Sequence, residues 1–347
     1  MEYIDHVMDL GDALNIPEFT IKDRPILDPN MEGAKLELLH RQFADILLQL
    51  STLQLPKIGS LVQIDDFTWE VTRRPLSYNP NELVRLGTLP RLELPMRNET
   101  FESSSSYFNR LADLHVDHLI HQQNDAIDSA DDCRRRYVAR MLFRKLAREG
   151  RFTESSTNLG PFNIWCDDLR PSNILINEDL QIVAVVDWEF TYVAPVEFSQ
   201  SPPWSLLLEQ LEYWPDGIEA WTKVYELRFQ IFLKVLLEQE DVAIDRGILK
   251  EEQRLSGPMQ QSWENGDFWV TYAARKSFAF DAVFWKKIDG RFFGHGTSNE
   301  DERWKERLDL LTDDEKANMK RLVEKKMETR TRVLAWEPDE IDLKIVS

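Results

Sequence analysis

Apolar positions set the first expectations. Leu36, Leu39, Phe43, Ile46 and Leu50 recur at spacings of three and four, which predicts an amphipathic helix over 34–53, ended by Pro56. The period then shortens. Residues 59–64, an Asp65-Asp66 turn and residues 67–71 read as a β-hairpin, and 75–100 reads as loop because of Pro75, Pro80, Pro90 and Pro95. Helices are predicted over 107–122, capped by one of Ser103 to Ser106, and over 133–148, with Val138, Met141, Leu142 and Leu146 as its stripe. A strand at 161–165 leads into two β-branched runs, 173–176 and 181–186, around Asn177-Glu-Asp-Leu180, the pattern of a second hairpin. After it come an apolar stretch at 190–196 and helices over 204–212, 217–240, 248–263 and 267–287. A Gly-rich, acidic loop over 289–302, a charged helix over 308–334 and a loose tail complete the chain. The pattern predicts an α+β fold that is mostly α.

The second hairpin also gathers chemistry. If its strands pair about the turn near Asp179, Asp187 leaving one strand lies beside Asn173 at the start of the other, with Asp168 five residues upstream. Two carboxylates and an amide oxygen then share one rim. Hard oxygen donors of this kind suit Mg²⁺, which takes few protein ligands and keeps positions for water and phosphate. The spacing from Asp168 to Asn173 is the D-x-x-x-x-N of a kinase catalytic loop, with Asp187 at the second metal-binding position.

Asp168-Leu-Arg-Pro-Ser-Asn173-Ile-Leu-Ile, the acidic turn, and Val185-Val-Asp187-Trp-Glu189 resemble the catalytic and metal-binding loops of the aminoglycoside phosphotransferase and choline kinase-like family, in particular its fungal members. The resemblance implies a protein-kinase-like large lobe and transfer of a phosphoryl group from ATP to a small-molecule hydroxyl. It makes Asp168 the catalytic base and Asn173 and Asp187 the Mg²⁺ ligands. It makes 1–15 a hinge-like segment, with Glu2, Tyr3 and Ile4 offering backbone groups to adenine. Residues 16–300 become the large lobe, with its catalytic hairpin at 165–189, and 301–347 a terminal helix and tail. A substrate pocket is expected from the helices after the hairpin, with Glu189, Trp263, Glu264, Trp269, Tyr272 and Asp281 as candidates. Two departures stand out. Cys166-Asp167-Asp168 replaces the family's His-Gly-Asp, and the chain contains neither G-x-G-x-x-G nor a V-A-I-K strand, so the small lobe is missing from the resemblance. The rival expectation is a non-catalytic, pseudokinase-like binding module or a truncated gene product.

Charge and cysteine usage bound the partners. With 61 acidic against 42 basic residues the net charge is −19, which opposes binding to nucleic acid or anionic membrane and favours a cationic acceptor. Two cysteines make no disulfide framework, and the start of the sequence lacks a basic leader and apolar run, so a cytoplasmic protein is expected. No stretch approaches the roughly 18 apolar residues of a membrane span. His115, His118 and His121 fall at intervals of three, which rotates them around a helix; a solvated face is expected rather than a metal site. The basic residues of 133–148 are likewise expected in solvent, and Cys166, with no His near it in sequence, is not expected to be a nucleophile.

Overall fold

The computed structural model describes residues 4–17, 24–123 and 126–330. Helix accounts for 56% and strand for 11%, in small antiparallel sheets, so the fold is α+β and mostly α. The chain forms two compact units that interleave in sequence. One comprises Met1–Ser77, Arg97–Ser104 and Thr153–Ala273, the other Tyr78–Met96, Ser105–Phe152 and Ala274–Ser347.

All eight strands lie in the first unit: β1 (Met8–Asp9), β2 (Gln54–Leu55), β3 (Ser60–Gln63), β4 (Trp69–Arg73), β5 (Phe162–Cys166), β6 (Ile174–Ile176), β7 (Ile182–Val185) and β8 (Thr191–Ala194). They form three antiparallel sheets ordered β1-β6-β7, β2-β5-β8 and β3-β4. Both predicted hairpins are present. Within the segment 1–15 expected to be hinge-like, β1 pairs Met8 with Ile176 and Asp9 with Leu175. Residues 1–3 lie outside the described residues.

The predicted amphipathic helix spans Gly33–Ser51 and buries Leu36, Leu39, Phe43 and Leu48. It packs on the long helix Gly217–Asp245, where Phe232 meets His40 edge-on at 5.6 Å and Phe43 at 6.1 Å. Each such buried side chain stabilises by about 1.5–3 kcal/mol. Gln42, one turn along, ties the helix to the second hairpin: its Nε2 donates to Leu180 O at 2.8 Å and its Oε1 accepts from Ile182 N at 2.8 Å.

Between 204 and 212 the expected helix is absent. Two 3₁₀ turns, Trp204–Leu207 and Leu211–Tyr213, replace it, and Leu208 at φ 67° separates them, since a residue in that conformation cannot continue a right-handed helix. Gly266, at φ 85°, stops the helix Ser256–Asn265 in the left-handed conformation before Asp267–Arg275 resumes.

In the second unit the helix Ala130–Arg148 is capped by Ser129, whose Oγ accepts from Asp132 N at 3.1 Å. The helix Asp313–Thr329 starts later than expected and opens with a Thr312–Glu315 capping box, and the expected end at 334 lies outside the described residues. The predicted loop 75–100 contains the helix Tyr78–Arg85. Two expectations of solvated faces are corrected here. His115 and His118 are each 2% exposed. The His115 ring lies 4.4 Å from Phe280 and its Nε2 is 3.1 Å from Ala274 O. Arg140 is also 2% exposed and meets Asp281 through two hydrogen bonds, at 2.7 and 3.1 Å. A buried cation needs such a partner, which polar spacing alone did not reveal. The loop expected at 289–302 begins instead with a helical turn, Asp289–Phe293, and its fully buried Asp289 pairs with Arg307 at 2.8 and 3.0 Å. Among the described residues no helix is long and apolar enough to cross a membrane.

Candidate active site

The catalytic-type loop joins β5 to β6. β5 ends at Cys166, Pro171 opens a 3₁₀ turn over Pro171–Asn173, and β6 starts at Ile174. Proline suits that first helical position, since its missing N–H would have had no partner there. Asn173, 4% exposed, is the pivot. Its Nδ2 donates to the Asp168 carbonyl at 2.8 Å and to Asp168 Oδ2 at 3.1 Å. The other carboxylate oxygen, Oδ1, forms an ion pair with Arg170, 3.1 Å from its Nε. Asp168 is therefore fixed from both sides. With its N–H groups engaged, the Asn173 Oδ1 oxygen makes no hydrogen bond among the described residues.

Strand pairing delivers Asp187 to the same place. Ile174 faces Val185, and Val186 N donates to Asn173 O at 2.9 Å, so the next residue leaves the sheet beside Asn173. Asp187 adopts φ 59° and ψ 53°. Non-glycine residues hold this left-handed conformation at a cost, and such residues cluster at functional sites. Its carboxylate is exposed and has no hydrogen bond or ion pair among the described residues. Asp168, Asn173 and Asp187, grouped from sequence, are thus brought together by the loop and the hairpin.

The supports were not legible as site residues. Asp167 accepts from Trp165 Nε1 at 2.7 Å and from Tyr192 OH at 3.3 Å, which anchors the loop to β5 and β8. The short helix Leu10–Leu14 presses on it from the N-terminal side: a Cβ added at Gly11 would stand 2.9 Å from Asp9 Oδ1 and 3.5 Å from Ser172 N. Asp9 caps that helix by accepting from Asp12 N at 2.8 Å, and burial raises its carboxyl above the usual range although the nearby Arg170 opposes the rise. The arginine two residues after Asp168 was the available signal for Arg170. For Asp9 the signal was an aspartate before an apolar helical run.

Other expected site residues lie elsewhere. Ile4 is exposed, and its carbonyl faces His6 Nδ1 at 2.8 Å; Glu2 and Tyr3 are outside the described residues. Glu189 is exposed just past Asp187. Trp269, 7% exposed, and Trp263 belong to an aromatic core with Trp221, Tyr225 and Phe268. The Trp263 indole N–H donates to the Glu226 carboxylate. Glu264 is on the surface, bonded to Gln260 at 2.7 Å, and Tyr272 OH donates to Glu212 at 2.7 Å. Helical spacing of aromatics here builds core. Beneath the loop, Trp165, Cys166, Leu169, Ser201 and Trp204 line a cavity of about 40 Å³, room for a water molecule or two. Burial raises the Cys166 thiol above its ordinary pKa, against the thiolate a nucleophile needs.

Comparison with protein-family models, curated proteins and solved structures found no match to this chain. Among the described residues no group of three or more His, Cys, Asp or Glu is placed to hold a metal ion. The donors at this rim are instead two carboxylates and one amide oxygen.

Proposed function

We propose that this chain carries a phosphotransferase site of the kinase-like kind, acting on ATP and a small-molecule hydroxyl. One observation carries the reading. A single buried amide, Asn173, holds Asp168 by its carbonyl and its carboxylate while keeping its own oxygen unbonded, next to the unpaired Asp187.

The residues fit Mg²⁺. Asn173 Oδ1 and the Asp187 carboxylate are hard oxygen donors without partners among the described residues, and one or two protein ligands are the usual complement when phosphate oxygens and water fill the rest. Bound there, the metal would neutralise charge on the transferring phosphoryl group. Asp168 would orient the acceptor hydroxyl and take its proton at Oδ1, the oxygen that faces Arg170 while Asn173 holds Oδ2. Arg170, half-exposed beside Asp168, supplies a second cation toward the same place. The chain's negative charge favours a cationic acceptor.

Calorimetric titration with Mg·ATP tests binding. Turnover is tested by ADP release in the presence of pooled hydroxylated amines and sugars. Asp187→Ala is expected to abolish Mg·ATP binding. Asp168→Ala should bind Mg·ATP as the parent does and lose at least ~10²-fold in turnover, the scale of a positioned acid–base group. Retained turnover in Asp168→Ala would sink the assignment. The absence of a Gly-rich loop and lysine strand from these 347 residues favours a second reading, a nucleotide-binding module without catalysis. Binding with no ADP release from any acceptor would select it.

A further inference from the structure

In the first unit the β3–β4 hairpin stands out as an arm. Its base is tied down where Gly59 bridges to Val193, but every residue from Gln63 to Glu70 is exposed. Phe67 is 94% exposed, Trp69 56% and Ile64 54%. A two-stranded ribbon is marginal in water by itself, and apolar side chains beside an unpaired strand edge mark a surface built for pairing. The outer edge of β4 is such an edge, since β3 is its only neighbouring strand among the described residues. Ile64 N donates to Thr68 O at 2.9 Å, Gln63 faces Trp69 and Leu61 faces Val71. Antiparallel pairs alternate between hydrogen-bonded and non-hydrogen-bonded, so Trp69 and Val71 turn their N–H and C=O groups away from β3. Their side chains share one face, with Phe67 two residues before them, and Glu70 lies on the other.

We propose that β4 pairs antiparallel with β4 of a second copy of this chain, about a two-fold axis at Trp69, joining the two hairpins into one four-stranded sheet. Only outward-facing residues can bond across the new seam, which leaves two-folds at Trp69, Glu70 or Val71. An axis at Glu70 sets that carboxylate directly against its counterpart, which like charges oppose. An axis at Val71 runs the pairing into the register shift of β4 opposite Ser60 and Leu61. The axis at Trp69 avoids both. Trp69 then meets its counterpart, Val71 meets Phe67, and Glu70 meets Thr68. Charge selects the same occupant. The antiparallel run carries the acidic tip of each arm, Asp65-Asp66, to the far end of β4 in the other copy. There Arg73 is exposed, and so is Arg97, whose carbonyl accepts from Arg74 N at 3.0 Å; neither arginine side chain makes an ion pair among the described residues. In a chain of net charge −19, two unpaired cations at one strand end call for an acidic partner, and the tip of the same arm is one.

Sedimentation of the full chain over a concentration series tests the pairing. Two short arms make an interface at the small end, below about 1,200 Å², so a dimer that dissociates on dilution is expected. Trp69→Lys places like charges on the axis and should leave a monomer, with urea unfolding of the variant showing that the fold persists. Asp66→Lys and Arg97→Glu should each weaken self-association by roughly fivefold, two surface charge pairs' worth. An equimolar mixture of those two variants should recover it, because each reversed charge then meets the other. Oxidative cross-linking reads the register. Paired Cα atoms at the axis lie about 5.5 Å apart, within disulfide reach, so Trp69→Cys should form a covalent dimer roughly tenfold faster than Glu70→Cys or Val71→Cys. The native Cys133 and Cys166 are buried. A monomer at every concentration overturns the proposal, as does a dimer indifferent to Trp69→Lys, equal cross-linking at the three positions, or no recovery in the mixture. So does a monomer whose tryptophan emission shifts to the blue on phosphatidylcholine vesicles and loses that shift in Trp69→Lys, which would make a lipid surface the occupant.

Discussion

Under the proposed function, Asp187 concentrates a conflict between stability and chemistry in one residue. It holds a left-handed backbone, is exposed, and has no hydrogen bond or ion pair among the described residues to offset that conformation. Glycine adopts the same angles without a Cβ clash. Asp187→Gly is therefore expected to stabilise the fold by about 1 kcal/mol while removing Mg·ATP binding. Urea unfolding and calorimetry on the same preparation check both halves, and a destabilised variant would show that Asp187 is held by contacts rather than strained. Much at this scale was legible. The spacing of Asp168, Asn173 and Asp187 needed only a hairpin register, which β-branched runs and an Asn/Asp turn dictate locally. Arg170 and Asp167 were not legible as supports, since their partners Asp168 Oδ1, Trp165 and Tyr192 are fixed by tertiary geometry.

At the scale of elements, the β6–β7 hairpin depends on a distant helix. Gln42 bonds both sides of the hairpin turn from the Gly33–Ser51 helix, with both ends of its amide. Gln42→Leu should cost about 1–3 kcal/mol, the range for two part-buried backbone groups losing their partner. It should also speed amide hydrogen exchange at Leu180 to Ile182 without changing exchange across β5 and β8. Uniformly faster exchange would mean that the turn is held by the rest of the fold instead. The helix itself was readable from Leu36, Leu39 and Phe43, and the face carrying Gln42 was not, because a polar residue beside an apolar stripe reads as surface. The same limit hid His115 and His118: steps of three do carry a helix face around, yet here His115 meets Phe280 and His118 meets Phe278 in the turn before it, and both are buried.

For the whole molecule, both units carry a buried neutral histidine, and this sets an acid limit. Burial, with Arg228 nearby, lowers His40 to about 3, and burial with Arg140 and His115 nearby lowers His118 to about 3. In the unfolded chain each takes a proton near 6.5. Below that pH the unfolded state binds more protons than the folded one, so stability falls as pH drops from about 6.5 toward 3 and is unaffected above. At pH 5 each histidine costs on the order of 2 kcal/mol. Asp281 adds to the loss at lower pH: burial alone would raise its carboxyl, but Arg140 and Arg136 outweigh that and hold it below the usual range. His40→Leu should therefore flatten the fall in urea stability between pH 6.5 and 5 by about half, and an unchanged slope would assign it to other groups. The α+β, mostly helical class was legible from periodicity. The interleaving of two units was not: 78–96, 105–152 and the residues from 274 to 330 are joined by contacts far apart in sequence, and no shift in composition marks their borders.

The Gln42 clasp also imposes a schedule on synthesis. Its partner Leu180 lies 138 residues further along the chain, an interval of roughly 7–28 s at about 5–20 residues per second. Phe232, which covers His40 and Phe43, arrives later still. Until then the first long helix emerges from the ribosome with its apolar stripe uncovered. A nascent chain paused before residue 180 is expected to be the form most in need of a chaperone.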